Sequence, residues 1–310
     1  MAGMVGGAVV VGIDGSDHAL EAVRWAAAEA EGRGVRLRLV AAVQPPRADL
    51  VLPPREADKQ HLTRMRAAGG PLDAAAAAAA AVAPELEIDR EVIEGAPAEV
   101  LVEESTTAAL VVVGHRGRGG FTGLLLGSVG LALAAKATSP VVVVRGSTDR
   151  ARGVVVGVDG TPLGDSALGF AFVEAARGGG PLVAVRAWAE AALDPFLEPF
   201  LDWDAIAADE RDVLDRALAP WEERFPEVDV RRVLVRANAA KTLIEHAGTA
   251  SLVVLGSRGR GGLRGRVLGS VGQALLQHAP CPVAVVHAVV HAPAASAESA
   301  PADVAEEVAR

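Results

Sequence analysis

The chain alternates short unbroken apolar runs with longer stretches of helical spacing. Ala8 to Ile13 is a continuous, mostly β-branched run, the pattern of a strand buried on both faces. Asp14-Gly15-Ser16 predicts a turn, and Leu20, Val23 and Trp25 to Ala28 continue at helical spacing to about Glu31, with Gly32 and Gly34 as the stop. A second strand is predicted over Val35 to Val43, then a loop rich in proline at Pro45, Pro46, Pro53 and Pro54. A helical region follows from about Glu56 to Val82, broken at Gly69-Gly70-Pro71. Its second half, Ala74 to Ala81, favours helix but offers little side chain to bury, so a surface helix is expected, with a partly frayed segment as the alternative. Strands are predicted over Leu86 to Ile93, Leu110 to Val113 and Val141 to Val144, with helices over Pro97 to about Thr107 and about Ser128 to Ala137. Strands alternating with helices in this order argue for an α/β fold, an open parallel sheet covered by helices on both faces.

The pattern then begins again. Val154 to Thr161 repeats Val9 to Ser16 at an offset of 145 residues. Leu182 to Trp188 repeats the second strand, Asp204 to Phe225 the second helix, Val230 to Val235 the third strand and Leu252 to Leu255 the fourth. A repeat of that length means two whole domains, not a solenoid. The expected division is residues 5–146 and 152–289, with the polar stretch Ser147 to Gly153 between them and a disordered tail over 290–310.

Composition changes this picture little. The chain is 51% hydrophobic but only 3% aromatic, with no Tyr, so the cores must be built from Val, Leu and Ala. A net charge of −9 argues against a general nucleic-acid surface, because neutralising phosphates needs a basic face. Cys281 is the single cysteine, which excludes an intrachain disulfide and fits a reducing compartment. The start, MAGMVGGAVVVGID, lacks a basic region ahead of its apolar run, and no long strongly apolar segment follows. The expectation is a cytoplasmic protein without a membrane or nucleic-acid partner.

The candidate chemistry lies after the fourth strand of each half. The first copy reads Gly114-x2-Gly117-x9-Gly127-Ser128 and the second Gly256-x2-Gly259-x9-Gly269-Ser270. Asp14 and Asp159 stand at the carboxyl ends of the first strands. If first and fourth strands are neighbours where the strand order reverses, these groups share the crevice in which open α/β sheets bind ligands. Gly114, Gly117, Gly256 and Gly259 would allow unusual φ values and close approach of backbone N–H groups to a phosphate. Gly127-Ser128 and Gly269-Ser270 would open helices whose free N–H groups favour an anion. Each piece has a plainer reading: the serines as N-caps, the aspartates as turn caps, and the loop arginines, Arg118 and Arg260 among them, as a solvated face. The recurrence of the whole set, with both spacings kept, favours the ligand reading. His287 and His291 lack a third ligand for a metal. The chain contains no Walker A motif, C-x-x-C pair or Ser-His-Asp signal. His18, His61 and His246 read as ordinary surface residues, and Cys281 as packed rather than reactive.

With VGIDGS and VGVDGT at the first strands, the two glycine motifs, and Ser139-Pro140-Val141 and Cys281-Pro282-Val283 before the last strands, the chain resembles a tandem member of the universal stress protein A superfamily. The resemblance covers about residues 5–145 and 152–288. It implies two flavodoxin-like, adenine-nucleotide-hydrolase-like domains, each with a five-stranded parallel sheet in the order 3-2-1-4-5. It further implies binding of ATP, with AMP or ADP as alternatives. Asp14 and Asp159 would lie near ribose and phosphates and help hold a divalent ion such as Mg2+. The glycines, Ser128 and Ser270, with Arg118 and Arg260, would surround the triphosphate. Gly12 and Ile13, with Gly157 and Val158, belong to the first-strand motif. The backbone at Ala42 and Ala187 would face adenine, and Val129 and Val271 would pack beside the nucleotide.

The copies are not identical. Ala109 and Ser251 stand where relatives often have Asp, and Lys136 and Thr138 stand where the second copy has His278 and Pro280. Phe121-Thr122-Gly123-Leu124 replaces Leu263-Arg264-Gly265-Arg266, so the second site is expected to hold phosphate more tightly. The last strands would be sheet edges, and pairing between them would make the two domains an intrachain pseudo-dimer able to form a further homodimer. A nucleotide-responsive regulator of stress or dormancy is the leading function. A slow ATPase and an interaction module without ligand are the alternatives. No dedicated general base is visible beyond the two aspartates, which favours binding over turnover.

Overall fold

The computed structural model describes residues 7–45, 54–117, 126–149, 152–188, 201–257 and 268–287. The first half runs β1 (Val9–Gly12), α1 (Asp17–Arg33), β2 (Leu37–Val43), α2 (Pro54–Ala67), α3 (Gly69–Ala80), β3 (Ile88–Glu94), α4 (Pro97–Glu104), β4 (Leu110–Gly114), α5 (Ser128–Lys136) and β5 (Val141–Val144). The second runs β6 (Val154–Gly157), α6 (Pro162–Gly178), β7 (Leu182–Trp188), α7 (Trp203–Arg224), β8 (Val230–Arg236), α8 (Ala239–Ala247), β9 (Leu252–Gly256), α9 (Ser270–His278) and β10 (Val283–Val286).

All the strands join one sheet in the order β3-β2-β1-β4-β5-β10-β9-β6-β7-β8. Within each half the strands are parallel and the order is 3-2-1-4-5, reversing between first and fourth. The unbroken valine runs follow from this: alternate residues face opposite helix layers, and both layers are apolar. Val9, Val11, Leu110 and Val112 face the layer of α1, α3, α6 and α7. Val10, Val111, Val113 and Val141 face that of α4, α5, α8 and α9. Each such side chain, removed from water, contributes about 1.5–3 kcal/mol.

The Ala-rich α3 departs from expectation. Leu72, Ala75 and Ala79 are buried in the core beside α1, so the helix packs against the domain. Its small side chains leave little to desolvate but let two helices approach closely, and the 72/75/79 spacing gives it a consistent inner face.

The halves meet where β5 and β10 pair antiparallel, Val283 opposite Val143, Ala284 opposite Val142 and Val285 opposite Val141. Each would otherwise be an edge with unpaired backbone groups. Gly146, at φ 57°, turns the chain out of this seam with its α-carbon against the Pro280 carbonyl, and the Ser147 N–H donates to that carbonyl at 3.0 Å. The seam is also laced by side chains. Arg145 donates to the Leu276 carbonyl in the last turn of α9, while His287 Nε2 lies 3.1 Å from the Ala134 carbonyl in α5. A basic side chain beyond each last strand thus reaches the carbonyl end of the other half's last helix, where unpaired carbonyls accept hydrogen bonds.

Candidate functional site

The reversal of strand order between β1 and β4, and between β6 and β9, opens a crevice at the carboxyl edge of each half. In the first, Asp14 leaves β1 and its Oδ1 accepts from the Ser16 N–H at 3.0 Å and the Ser16 hydroxyl at 2.7 Å. Ser16 in turn caps α1, accepting from the Ala19 N–H at 3.2 Å. The second repeats the device: Asp159 accepts from Thr161 N–H at 2.9 Å and hydroxyl at 2.8 Å, and Thr161 caps α6 through the Gly164 N–H. Both aspartates therefore organise the turn, as the plainer reading held, and they do so at the mouth of the crevice.

The glycines behave differently from expectation. Gly114, Gly117, Gly127 and Gly269 all have ordinary φ values, so none is required for a left-handed turn. Their need is space, and mostly against protein. A Cβ on Gly114 would lie 2.6 Å from the His18 carbonyl oxygen, and one on Gly117 would lie 2.4 Å from Asp14 Oδ2. The loop after β4 is thus pressed onto the first turn of α1 and onto Asp14. Gly12 and Gly157 likewise admit Leu101 of α4 and Leu243 of α8, whose side chains would lie 2.6 Å and 3.2 Å from an added Cβ. The last glycine of each motif has more room: a Cβ on Gly127 would come no closer than 3.6 Å to protein, and one on Gly269 would meet nothing within 4 Å.

The serines differ as well. Gly127 and Gly269 are the N-caps of α5 and α9, extended at φ −72° and −64°, and neither helix has a side-chain cap. Ser128 and Ser270 are the first helical residues and are exposed. The N-cap reading of these serines is therefore corrected. A residue already in the helix points its hydroxyl away from the orphan N–H groups, which stay open to an external acceptor.

Ile13 and Val158 bury their side chains and hydrogen-bond through their N–H groups to Val40 and Val185, so any contribution to a ligand comes from backbone. Ala42 and Ala187, half-buried, lie near the carboxyl ends of β2 and β7. Val129 and Val271, also half-buried, pack on the α4/α5/α8/α9 core, one residue into the open helices. Gly256 ends β9, in register with Val286. Arg118, Gly259 and Arg260 lie outside the described residues, as does most of both glycine loops.

Sequence reasoning missed two histidines in the first crevice. His18, in the opening turn of α1, and His115, next after Gly114, bring their ring centroids to 4.1 Å. Burial, His18 and Arg145 hold the His115 imidazole below the ordinary histidine pKa. The signal was available: His115 lies inside the glycine motif, and the turn that places Asp14 in the crevice puts residue 18 beside it.

Two tandem flavodoxin-like domains, each with a turn-forming Asp opposite an uncapped helix start, define a class of α/β proteins built around paired crevices. A family model described as the universal stress protein family matches residues 7–145 and 151–287. Universal stress protein Rv2623 of Mycobacterium tuberculosis is 38% identical over 285 residues, spanning 89% of this chain and 95% of its own. A universal stress protein of Mycolicibacterium smegmatis is 36% identical over 290 residues, spanning 90% and 96%. The crystal structure of a universal stress protein from Archaeoglobus fulgidus shares the fold with a TM-score of 0.66 at 17% identity, covering 90% of this chain and 98% of that one. The chain belongs to the universal stress protein family, as a tandem member. No helix among the described residues is long and apolar enough to cross a membrane.

Proposed function

We propose that each crevice binds an adenine nucleotide, ATP in the first instance, and that the protein acts as a nucleotide-responsive regulator in the stress response. The observation that carries this reading is the uncapped start of α5 and of α9, at the edge where the strand order reverses beside Asp14 and Asp159. Open N–H groups at a helix start, reached over an outward-facing glycine, suit the oxygens of a phosphate. Ser128 and Ser270 add hydroxyls there, the half-buried Ala42 and Ala187 leave backbone for a purine edge, and Val129 and Val271 give it an apolar neighbour.

Among the described residues no group of three or more His, Cys, Asp or Glu could hold a metal ion. A divalent ion would therefore come with the phosphates, neutralising their charge, rather than reside in a protein cage. The Asp14 and Asp159 carboxylates are engaged by the turns they organise, which favours retention of nucleotide over its hydrolysis. A slow ATPase is the second reading, because the Asp14 and Asp159 carboxylates are at the right edge for it.

The test is direct. Small molecules released from the purified protein are identified, and ATP binding and phosphate release are measured on the same samples. Gly127→Val and Gly269→Val place a side chain at each open helix start, where the extended backbone accepts valine. Each is expected to remove one bound nucleotide, and undiminished nucleotide content in the double variant would overturn the assignment. Phosphate release lost with binding would establish the ATPase.

A further inference from the structure

The two crevices differ at a pair of neighbouring positions. The first holds the His18–His115 pair, ring planes inclined by 54°, whereas the repeat places Leu163 and Ser257 at the corresponding positions of the second. The pair is built into the loop. Gly114 lets β4 end directly against the backbone of His18. The His115 N–H donates to the Val144 carbonyl at 3.0 Å, and its carbonyl accepts from the Gly127 N–H at 2.8 Å. His115 therefore ties the end of β5 to the residue that opens α5, where the phosphate reading places its anion. Its Nδ1 is buried without a hydrogen-bond partner.

The charged groups around it come from each neighbouring element. His18 and Glu21 belong to α1, with His18 Nδ1 3.5 Å from Glu21 Oε2. Asp14 is in the β1–α1 turn, Arg116 is in the same loop, and Arg145 follows β5. Burial and two cationic or potentially cationic neighbours, His18 and Arg145, disfavour a proton on His115, and Glu21 opposes them more weakly. The first crevice thus holds an imidazole whose surroundings disfavour a proton.

We infer that the His18–His115 pair makes the first site, but not the second, take up a proton when it binds a phosphorylated ligand. The inference rests on the nucleotide reading of the crevice. A polyphosphate brings several negative charges to the start of α5, opposite in sign to the groups that repel a proton from His115. Ligand and proton then strengthen each other's binding by the same factor. First-site affinity rises as pH falls through the histidine range, by roughly tenfold for each unit by which the ligand lifts the imidazole. The second site lacks the group. Acidification therefore shifts nucleotide toward the first site, so the two halves report different conditions.

ATP is titrated calorimetrically into the full chain near pH 6.5 in two buffers of different ionisation heat, which counts the protons taken up. Wild type is compared with His115→Gln, because the terminal phosphate's own proton is common to both. Wild type is expected to take up more protons, and its first-site affinity to fall about tenfold between pH 6 and pH 8. The His115→Gln profile is expected to lose that slope, whereas a merely structural loss would weaken binding equally at every pH. A second measurement is by NMR: the His115 ring resonance, identified by its absence from the His115→Gln spectrum, is expected to move to a higher titration midpoint on adding ATP. Equal proton counts in the two proteins, or a His115 midpoint unmoved by bound ATP, overturn the inference and leave the nucleotide site standing. No ATP binding by wild type at any pH overturns both.

Discussion

Glu29 of α1 and Glu174 of α6, equivalent residues of the two repeats, meet face to face across the seam between the halves. Arg33 bridges them, its Nε donating to Glu29 and its Nη2 donating to Glu174 Oε1 at 2.7 Å, while Arg177 Nη1 donates to Glu29 from the rim at 3.2 Å. Both glutamates are almost fully buried, 1% and 7% exposed, and one central guanidinium cannot fully offset two negative charges removed from water.

Burial, with Glu29 as second cause, pushes Glu174 up to about 8, so the pair retains a proton at neutral pH. The folded state therefore binds a proton that the unfolded chain has already lost above about pH 4.5. Stability from this source falls as pH rises from there toward 8. Urea midpoints measured across that range should decline in wild type and decline less in Glu174→Gln, which keeps an acceptor for Arg33. Parallel pH profiles for the two proteins would show that the pair does not titrate.

A second buried cation belongs to the second half alone. Arg186 of β7 is 1% exposed, donates to the Val158 carbonyl at 3.2 Å and pairs with Glu210 of α7. The first half has Ala41 there. Arg186→Met should cost about 3–5 kcal/mol in chemical denaturation, because it strands Glu210 in a partly buried site. Adding Glu210→Leu should recover most of that loss, since a well-packed apolar pair can replace a buried ion pair. A double variant no more stable than Arg186→Met would mean that the Val158 hydrogen bond carries the effect instead.

The single cysteine should be chemically silent in the native protein. Cys281 is 1% exposed just before β10, and burial pushes its thiol up to about 12, against a smaller lowering by Arg145. That leaves only about one thiolate in ten thousand at pH 8. A thiol reagent at that pH should label unfolded protein fully and native protein only at the rate of opening. Rapid labelling without denaturant would contradict the packing of β10 against β5.

Much of the architecture was legible because the central strands, β1, β4 and β5 with β6, β9 and β10, are buried on both faces and so written as valine-rich runs. The repeat at 145 residues then supplied the second domain. The inner face of α3 was visible as Leu72, Ala75 and Ala79, but alanine carries too weak an apolar signal to mark it. Aspartate turns and uncapped helix starts follow from local motifs, so Asp14 and Gly127 were found. His18 with His115, and Glu29 with Glu174, depend on elements far apart in the chain. For the glutamates, the offset that aligns the repeats also equates residues 29 and 174, and a two-fold seam brings equivalent residues together. At Gly114 and Gly117 the missing Cβ makes room for His18 and Asp14, and spacing alone does not say whether such room serves a ligand or the protein.

That last distinction is measurable. At Gly114 the space beyond the α-carbon is filled by the His18 backbone, which belongs to a capped helix and cannot yield as a flexible side chain would. Gly114→Ala should therefore force β4 and α1 apart and destabilise the first half by about 1–3 kcal/mol, the usual consequence of overpacking. At Gly127 the nearest atom to an added Cβ is the His115 carbonyl oxygen at 3.6 Å, an ordinary contact. Gly127→Ala should then cost about 1 kcal/mol or less, as a poorer residue at an N-cap. Chemical denaturation of both variants without nucleotide separates the two roles. Equal losses would mean that the first glycine is not held against α1, and that its place in the motif answers to the ligand after all.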